Sequence, residues 1–468
     1  MKEKSPMTSS PQTGSSSDPS VPETAFAGNT EPQRVEPTAA DIESDPDYKR
    51  NSFNIIAFTC LLIIGDSLFD NGALFNLLKA VRFTASQIMV LMHTHQAIYM
   101  LTIVPIAYYS DRIGKKRIGA VGISLLSAGL LCFATSTILK ETAAKGLNIV
   151  GVASYGFGYA MYIAGWYALL SPIIPDRVRG RFFGKMRFTW QTIGIVFTLL
   201  MSQLMKNPTM TVFGFIFLIS AISMAVGIIY YLRIPEVDKP KPSGLGFFET
   251  ALTAARAPGY MPFCAYIFLL MLFTGACPTL FNLVCVESLA FTPGLILMMG
   301  VLLLVGRAIG FVVGGKLVDR KGTRFVFLMS HFSFGIILFL FLFRGGLSAV
   351  FVPYYIGALI CGFGIAWAAS FIATSTEMLA IAPQENKSVA TALTMMLKNG
   401  GSALSGALCG AAFSLRAFSP EWIFFGQTLT QYDVAILAFS IMIVLLIITL
   451  GLIPSVIRKA NWLPNRRF

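Results

Sequence analysis

The sequence has little charge and almost no histidine. Of 468 residues, 13% are Asp, Glu, Lys or Arg, about half the ~25% usual in a soluble globular chain. Most of the chain therefore cannot face water, which excludes a soluble enzyme, a DNA-binding protein and a secreted scaffold. Three histidines and seven scattered cysteines show no metal-ligand or disulfide-framework spacing, so no metal is expected. A Walker loop and a nucleophile elbow are also lacking. The sequence thus gives no sign of an enzyme or of a cofactor, and an ion gradient, H+ by preference, is the simplest energy source.

What is present is apolar. Hydrophobic residues make up 55% of the chain, mean hydropathy is +0.69, and several runs are long enough to cross a bilayer. This reads as an all-α polytopic membrane protein whose constant partner is the lipid bilayer. At about 20 residues per span, twelve helices are predicted: 53–77, 85–109, 115–138, 147–171, 184–205, 210–232, 260–284, 292–316, 325–343, 350–379, 388–412 and 433–456. They divide into an N-terminal bundle (51–232) and a C-terminal bundle (260–457), joined by a polar, proline-bearing linker at 233–259. Residues 1–50 have the Ser/Thr/Pro/Glu-rich composition of a disordered tail, and 458–468 form a short second tail. No cleavable signal peptide is read at the start.

The formal charge of +13 would suggest nucleic acid if the basic residues were clustered. Instead they sort onto alternate connectors. One side collects 27 Lys and Arg, from the tail and the loops near 112–117, 177–187, 233–256, 316–324 and 387, with the C-terminus. The other side has 7: Lys79, Arg82, Lys140, Lys145, Lys206, Arg344 and Arg416. Positive-inside sorting then predicts both termini in the cytoplasm, and no nucleic-acid partner.

A repeat is visible in the loops. Residues 107–117 read AYYSDRIGKKR and 315–324 read GKLVDRKGTR. Superposing Asp111 on Asp319 aligns Arg112 with Arg320 and Gly114 with Gly322, at an offset of 208. The same offset aligns 175–180 (PDRVRG) with 383–388 (PQENKS). Two motifs sharing one offset indicate a duplicated six-helix unit.

These D-R-x-G loops, the P-x-x-x-[RK]-[GS] loops and the segment 166–184 (WYALLSPIIPDRVRGRFFG) resemble the major facilitator superfamily of secondary transporters. The resemblance covers residues 50–457, with Ala107 standing where the family usually has glycine. It implies two six-helix bundles around a central cavity open to one side at a time. It also implies a cytoplasmic latch in which the loop Asp caps a neighbouring helix and pairs with basic residues. Carried over, the latch comprises Asp111, Arg112 and Gly114 in the first half and Asp319, Arg320 and Gly322 in the second. Arg179 belongs to the neighbouring loop motif. Glu377 is placed either to pair with Arg320 or Arg324 or to remain a surface acid.

Ionisable groups at bilayer depth cost roughly 2.5–3.5 kcal/mol each on insertion scales, so they usually face a cavity or a partner. Asp66 and Asp70 lie one turn apart on one helix face, where desolvation and mutual repulsion suit proton binding. His93 and His95 follow in the second helix. Two residues apart, they point to different faces, so one at most lines a cavity; either would suit a proton relay. Arg307 lies about 13 Å and Lys398, followed by Asn399, about 15 Å from the cytoplasmic ends of their helices. These cations either bind an anionic group of the substrate, pair with Asp66 across the cavity, or are neutralised locally. Trp166, Trp190, Gln191 and Trp367 are candidate cavity-wall residues, since aromatics with polar handles suit small organic ligands.

The reading that follows is a monomeric secondary transporter in the plasma (inner) membrane. It moves a small organic solute by alternating access, with protons as the coupling ion. Uptake of an anionic nutrient fits the midplane cations. Efflux of cationic or lipophilic compounds fits the acids and aromatics of the first half. A solute sensor with a transporter fold is the alternative outside transport.

Overall fold

The computed structural model describes residues 39–170, 172–237, 258–381 and 387–451, with 249, 252–253 and 255–256. The first 38 residues of the expected tail, most of the linker and the C-terminal tail lie outside the described residues. Residues 39–44 and 46–50 of that tail are helical. Helix α1 (Ala39–Ser44) is followed by α2 (Pro46–Asp70), where Asp45 accepts a hydrogen bond from the Tyr48 amide and Pro46 opens the first turn. A side-chain acceptor before a proline is a strong helix start, so the first long helix begins well before the predicted residue 53.

That helix is also broken. After Asn71, Gly72 takes φ +88°, and a Cβ there would lie 2.7 Å from Ile296; only glycine fits the turn. The chain resumes as α3 (Ala73–Ala80). The predicted helix 260–284 is also interrupted, into α9 (Tyr260–Thr274) and α10 (Cys277–Glu287), here with Gly275 and Ala276 keeping right-handed backbone angles. Pro278, within the first turn of α10, cannot donate to the preceding turn.

Between these breaks run α4 (Ala85–Ile113), α5 (Lys115–Ser136), α6 (Glu141–Leu170), α7 (Asp176–Leu204) and α8 (Met210–Arg233). After them come α11 (Pro293–Lys321), α12 (Thr323–Phe341), α13 (Val352–Ile381), α14 (Lys387–Ser414) and α15 (Gln431–Leu446). Ten spans among the described residues are long and apolar enough to cross a membrane, with α9 and α10 counted together. Helices α7 and α14 are long enough, at 29 and 28 residues. Lys185 and Arg187 in α7 and Lys398 in α14 lower their apolar character; Arg187 and Lys398 line the interior cavity, while Lys185 is exposed.

The motif glycines show why the repeated loops need their order. Gly114, between α4 and α5, has φ +119°, and Gly322, between α11 and α12, has φ +84°. Each lets a long helix end and the next begin without an intervening loop. Small residues also bring helices together: a Cβ on Gly158 of α6 would lie 2.6 Å from the carbonyl oxygen of Gly122 in α5. Such close backbone approach is a common way of packing helices in lipid.

The all-helical expectation needs one correction. Strands β1 (Glu421–Phe424) and β2 (Gln427–Thr430) pair antiparallel before α15. Phe425 and Gly426 both have positive φ, the geometry of a tight two-residue hairpin turn. Gln427 fixes the hairpin by accepting a hydrogen bond from the Gly345 amide at 2.8 Å.

Candidate functional site

A cavity of about 300 Å³ lies between the first-half helices α2, α4, α6 and α7 and the second-half helices α9, α11, α13 and α14. Helices α4 and α14, and α7 and α11, pack against each other across the two halves. The cavity takes Asp66 and Asp70 from α2, Arg307 from α11, and Lys398 and Asn399 from α14. Trp166, Trp190, Gln191 and Trp367 line it too. Asn399 turns its amide to the Met395 carbonyl, and Gln191 donates to the Leu304 carbonyl at 3.1 Å, tying α7 to α11.

The two acids have different partners. Tyr155 donates to Asp66 Oδ1 at 3.0 Å. Arg307 Nη1 meets Asp70 Oδ2 at 2.6 Å, so the charge pair between halves falls on Asp70 rather than on Asp66. The reason is the helix break: Asp70 is the last residue of α2, free to lean across the cavity.

The cations sit around one aromatic wall. Trp367 and Phe371 stack with centroids 5.4 Å apart, and Phe311 meets Phe371 edge-on. Arg307 Cζ lies 4.2 Å from the Trp367 ring, and Lys398 Nζ 4.7 Å from that of Phe371. Arg187, counted with the basic loop near 177–187 although the predicted helix 184–205 already includes it, is within α7, 5.8 Å from the Phe371 ring. The aromatic quadrupoles hold these cations at bilayer depth. Neither Arg187 nor Lys398 has an ion-pair partner among the described residues.

Of the two histidines of α4, it is His95 that lines the cavity. His93 is buried between the halves, Nδ1 at 2.8 Å from the Met89 carbonyl and Nε2 at 3.2 Å from that of Gly275. Two residues on a helix differ by about 200° in direction, which separates them. His331 is buried in α12, between Tyr266 and Ser370.

Sequence reasoning missed the tyrosines. Tyr155, Tyr159 and Tyr162 join Trp166 at helical spacing along α6, and Tyr99 faces them from α4. The i, i+4, i+7, i+11 pattern was the available signal.

The loop residues are partly brought together. Lys115 lies 3.8 Å from Asp111, and Arg112 stacks on Tyr108. The carboxylate that meets the N-terminus of α5 is Glu236, accepting from the Lys115 amide at 2.7 Å; a carboxylate there gains from the helix dipole. In the second half, Glu377 accepts from the Thr323 hydroxyl at 2.8 Å and is buried, so it is not a surface acid. Asp319 and Arg320 are exposed. Arg179 belongs to α7, but its side chain lies outside the described ones, as do residues 383–386 of the second loop motif.

At the end away from these basic loops, the halves meet directly. Lys79 pairs with Glu287, Asn76 donates to the Pro293 carbonyl, and Ser86 to the Gly410 carbonyl at 2.7 Å.

A polytopic helical membrane protein with a polar, charge-bearing cavity between its halves is the architecture of a solute carrier. Residues 55–406 match the Major Facilitator Superfamily, and the chain belongs to that family of transporters, which are not enzymes. A Haemophilus influenzae protein described provisionally as a metabolite transport protein is 25% identical over 299 residues, covering 57% of this chain and 65% of its own length. The chain therefore spans under two thirds of that relative. Among solved structures, a POT family transporter in complex with 5-aminolevulinic acid has TM-score 0.70 at 12% identity, over 87% of this chain and 97% of its own. A mutant of the nucleoside transporter NupG gives 0.63 at 15%, over 86% and 98%. The human organic anion transporter MFSD10 gives 0.58 at 12%, over 87% and 100%. At these identities the likeness establishes the fold alone.

Proposed function

We propose that the protein is a secondary active transporter that moves a small organic anion by alternating access, driven by protons. The observation that carries this reading is the pair Arg187 and Lys398. Both are held beside one ring of the cavity wall, and neither has a counter-ion among the described residues. An uncompensated cation at bilayer depth is costly, and an anionic solute offsets that cost. The stacked aromatics and the tyrosines of α6 supply apolar area around it.

In this reading α7 and α14 join the ten apolar spans to make twelve, six to each half. The basic loops and both termini face the cytoplasm of a cell whose plasma (inner) membrane holds a monomer. The cavity is then open toward the cytoplasm and closed by Lys79 and Glu287 outside. Asp111, Arg112, Gly114, Asp319, Arg320, Gly322, Arg179 and Glu377 form the inner latch. Asp66, with Tyr155 as its hydrogen-bond donor, is one proton site, and Asp70 one turn away is a second. His93, both of whose ring nitrogens face carbonyl oxygens, contributes at the seam between halves, because a neutral ring can donate to only one.

A thermal-shift screen of purified protein against organic anions, cations and neutral metabolites tests the reading, since ligand binding raises the melting temperature. Organic anions should stabilise the wild type and fail with Lys398→Ala. Stabilisation by cationic or lipophilic compounds alone, unchanged in that variant, would replace anion transport by efflux.

A further inference from the structure

We propose that Asp70 is a built-in stand-in for a substrate carboxylate: the substrate's carboxylate takes its place on Arg307, and the released Asp70 takes up a proton from the cavity water. The inference rests on the anion reading above and names both the chemical class of the solute and the coupling step.

Three features carry it. First, the two partners are unequally held. Arg307 is 10% exposed and Asp70 48%. The guanidinium is pinned by the Trp367 face, while Asp70 ends α2 immediately before the Asn71–Gly72 break. Second, the pair is incomplete. Asp70 engages only Nη1, and the buried Arg307 Nε meets no acceptor among the described residues. Guanidinium favours a planar, two-point acceptor, which a free carboxylate can provide and the single contact from Asp70 does not. Third, the exchange leaves two carboxylates side by side. Asp70 gives up its ion-pair partner and stands one turn from Asp66 on the same helix, and a proton on Asp70 removes the repulsion between them.

The groups that share this electrostatic environment are Asp66 on α2, His93 and His95 on α4, and Tyr155 and Tyr159 on α6. Across the cavity are Arg307 on α11 and Lys398 on α14. Arg187 on α7 lines the same cavity; among the described residues, Arg307 is the cation that forms an ion pair with Asp70.

The test is proton uptake on binding, read with a pH indicator in weakly buffered detergent solution. Full-length protein is titrated with succinate, benzoate and lactate, each beside its amide. Wild type should take up about one proton for each carboxylate bound. Asp70→Asn should bind the same acid about tenfold more tightly, because no internal competitor has to leave, and should take up none. Arg307→Gln should not bind it. Carboxylate binding to wild type without proton uptake overturns the stand-in while leaving the anion reading intact, and that readout needs no variant to fold. Binding of the amides but of none of the acids overturns both.

Discussion

Lys79 and Glu287 are 208 residues apart, the offset that superposes the two loop motifs of the sequence, and their side chains form an ion pair between the halves. In the duplicated six-helix unit proposed from the sequence, equivalent positions can meet only near the axis relating the copies, and this pair would mark that axis at the end of the cavity away from the basic loops. Tyr432 donates to the second Glu287 oxygen at 2.6 Å.

Reversing one charge should open that end. The pair is 39% and 30% exposed, so it is worth on the order of 0.2–1 kcal/mol and is screened by salt. Lys79→Glu should lengthen distances between spin labels at Lys140 and Arg416, and adding Glu287→Lys should restore them. Unchanged distances in the single variant would show that the pair does not hold the closed end.

The buried pair of Arg344 and Asp433 should matter to stability instead. Its two parallel hydrogen bonds are both 2.7 Å, with the side chains 3% and 0% exposed. Asp433 also accepts from the Thr430 amide and hydroxyl. Removing one partner of such a pair costs about 3–5 kcal/mol, whereas replacing both with apolar residues costs far less. Asp433→Ala should lower the melting temperature clearly more than Arg344→Met with Asp433→Leu. Equal losses would contradict this.

Asp66→Asn should uncouple transport. Exchange of solute across a membrane with no gradient should persist, while accumulation driven by a pH gradient should be lost. Tyr155→Phe, which removes only the hydrogen bond to Asp66, should have a smaller effect of the same kind. A wild-type pH dependence in Asp66→Asn would exclude it as a proton site.

Much of the fold was legible because hydropathy reports long apolar helices directly, and because Gly114 and Gly322 impose a backbone geometry that shows as motif. The helix breaks were less visible. Gly72 and Pro278 lie inside apolar runs that hydropathy averages over. Asp66, Arg307 and Lys398 stood out as charges at depth, and all three line the cavity. Which acid would meet Arg307 was not readable, since it depends on Asp70 lying at a break. Arg187, near the start of the predicted helix 184–205, was counted with the basic residues of the preceding loop, which hid its place at the cavity. Tyr155 was overlooked because an aromatic in an apolar helix looks like packing until its neighbours at helical spacing are counted.

The central claim is tested most directly by flux in proteoliposomes. With a proton gradient directed inward, labelled succinate, benzoate or lactate should accumulate above its external concentration. Accumulation should collapse when a protonophore is added and be absent in Asp66→Asn. Uptake no greater than in protein-free liposomes, or uptake indifferent to the gradient, would contradict proton-driven anion transport.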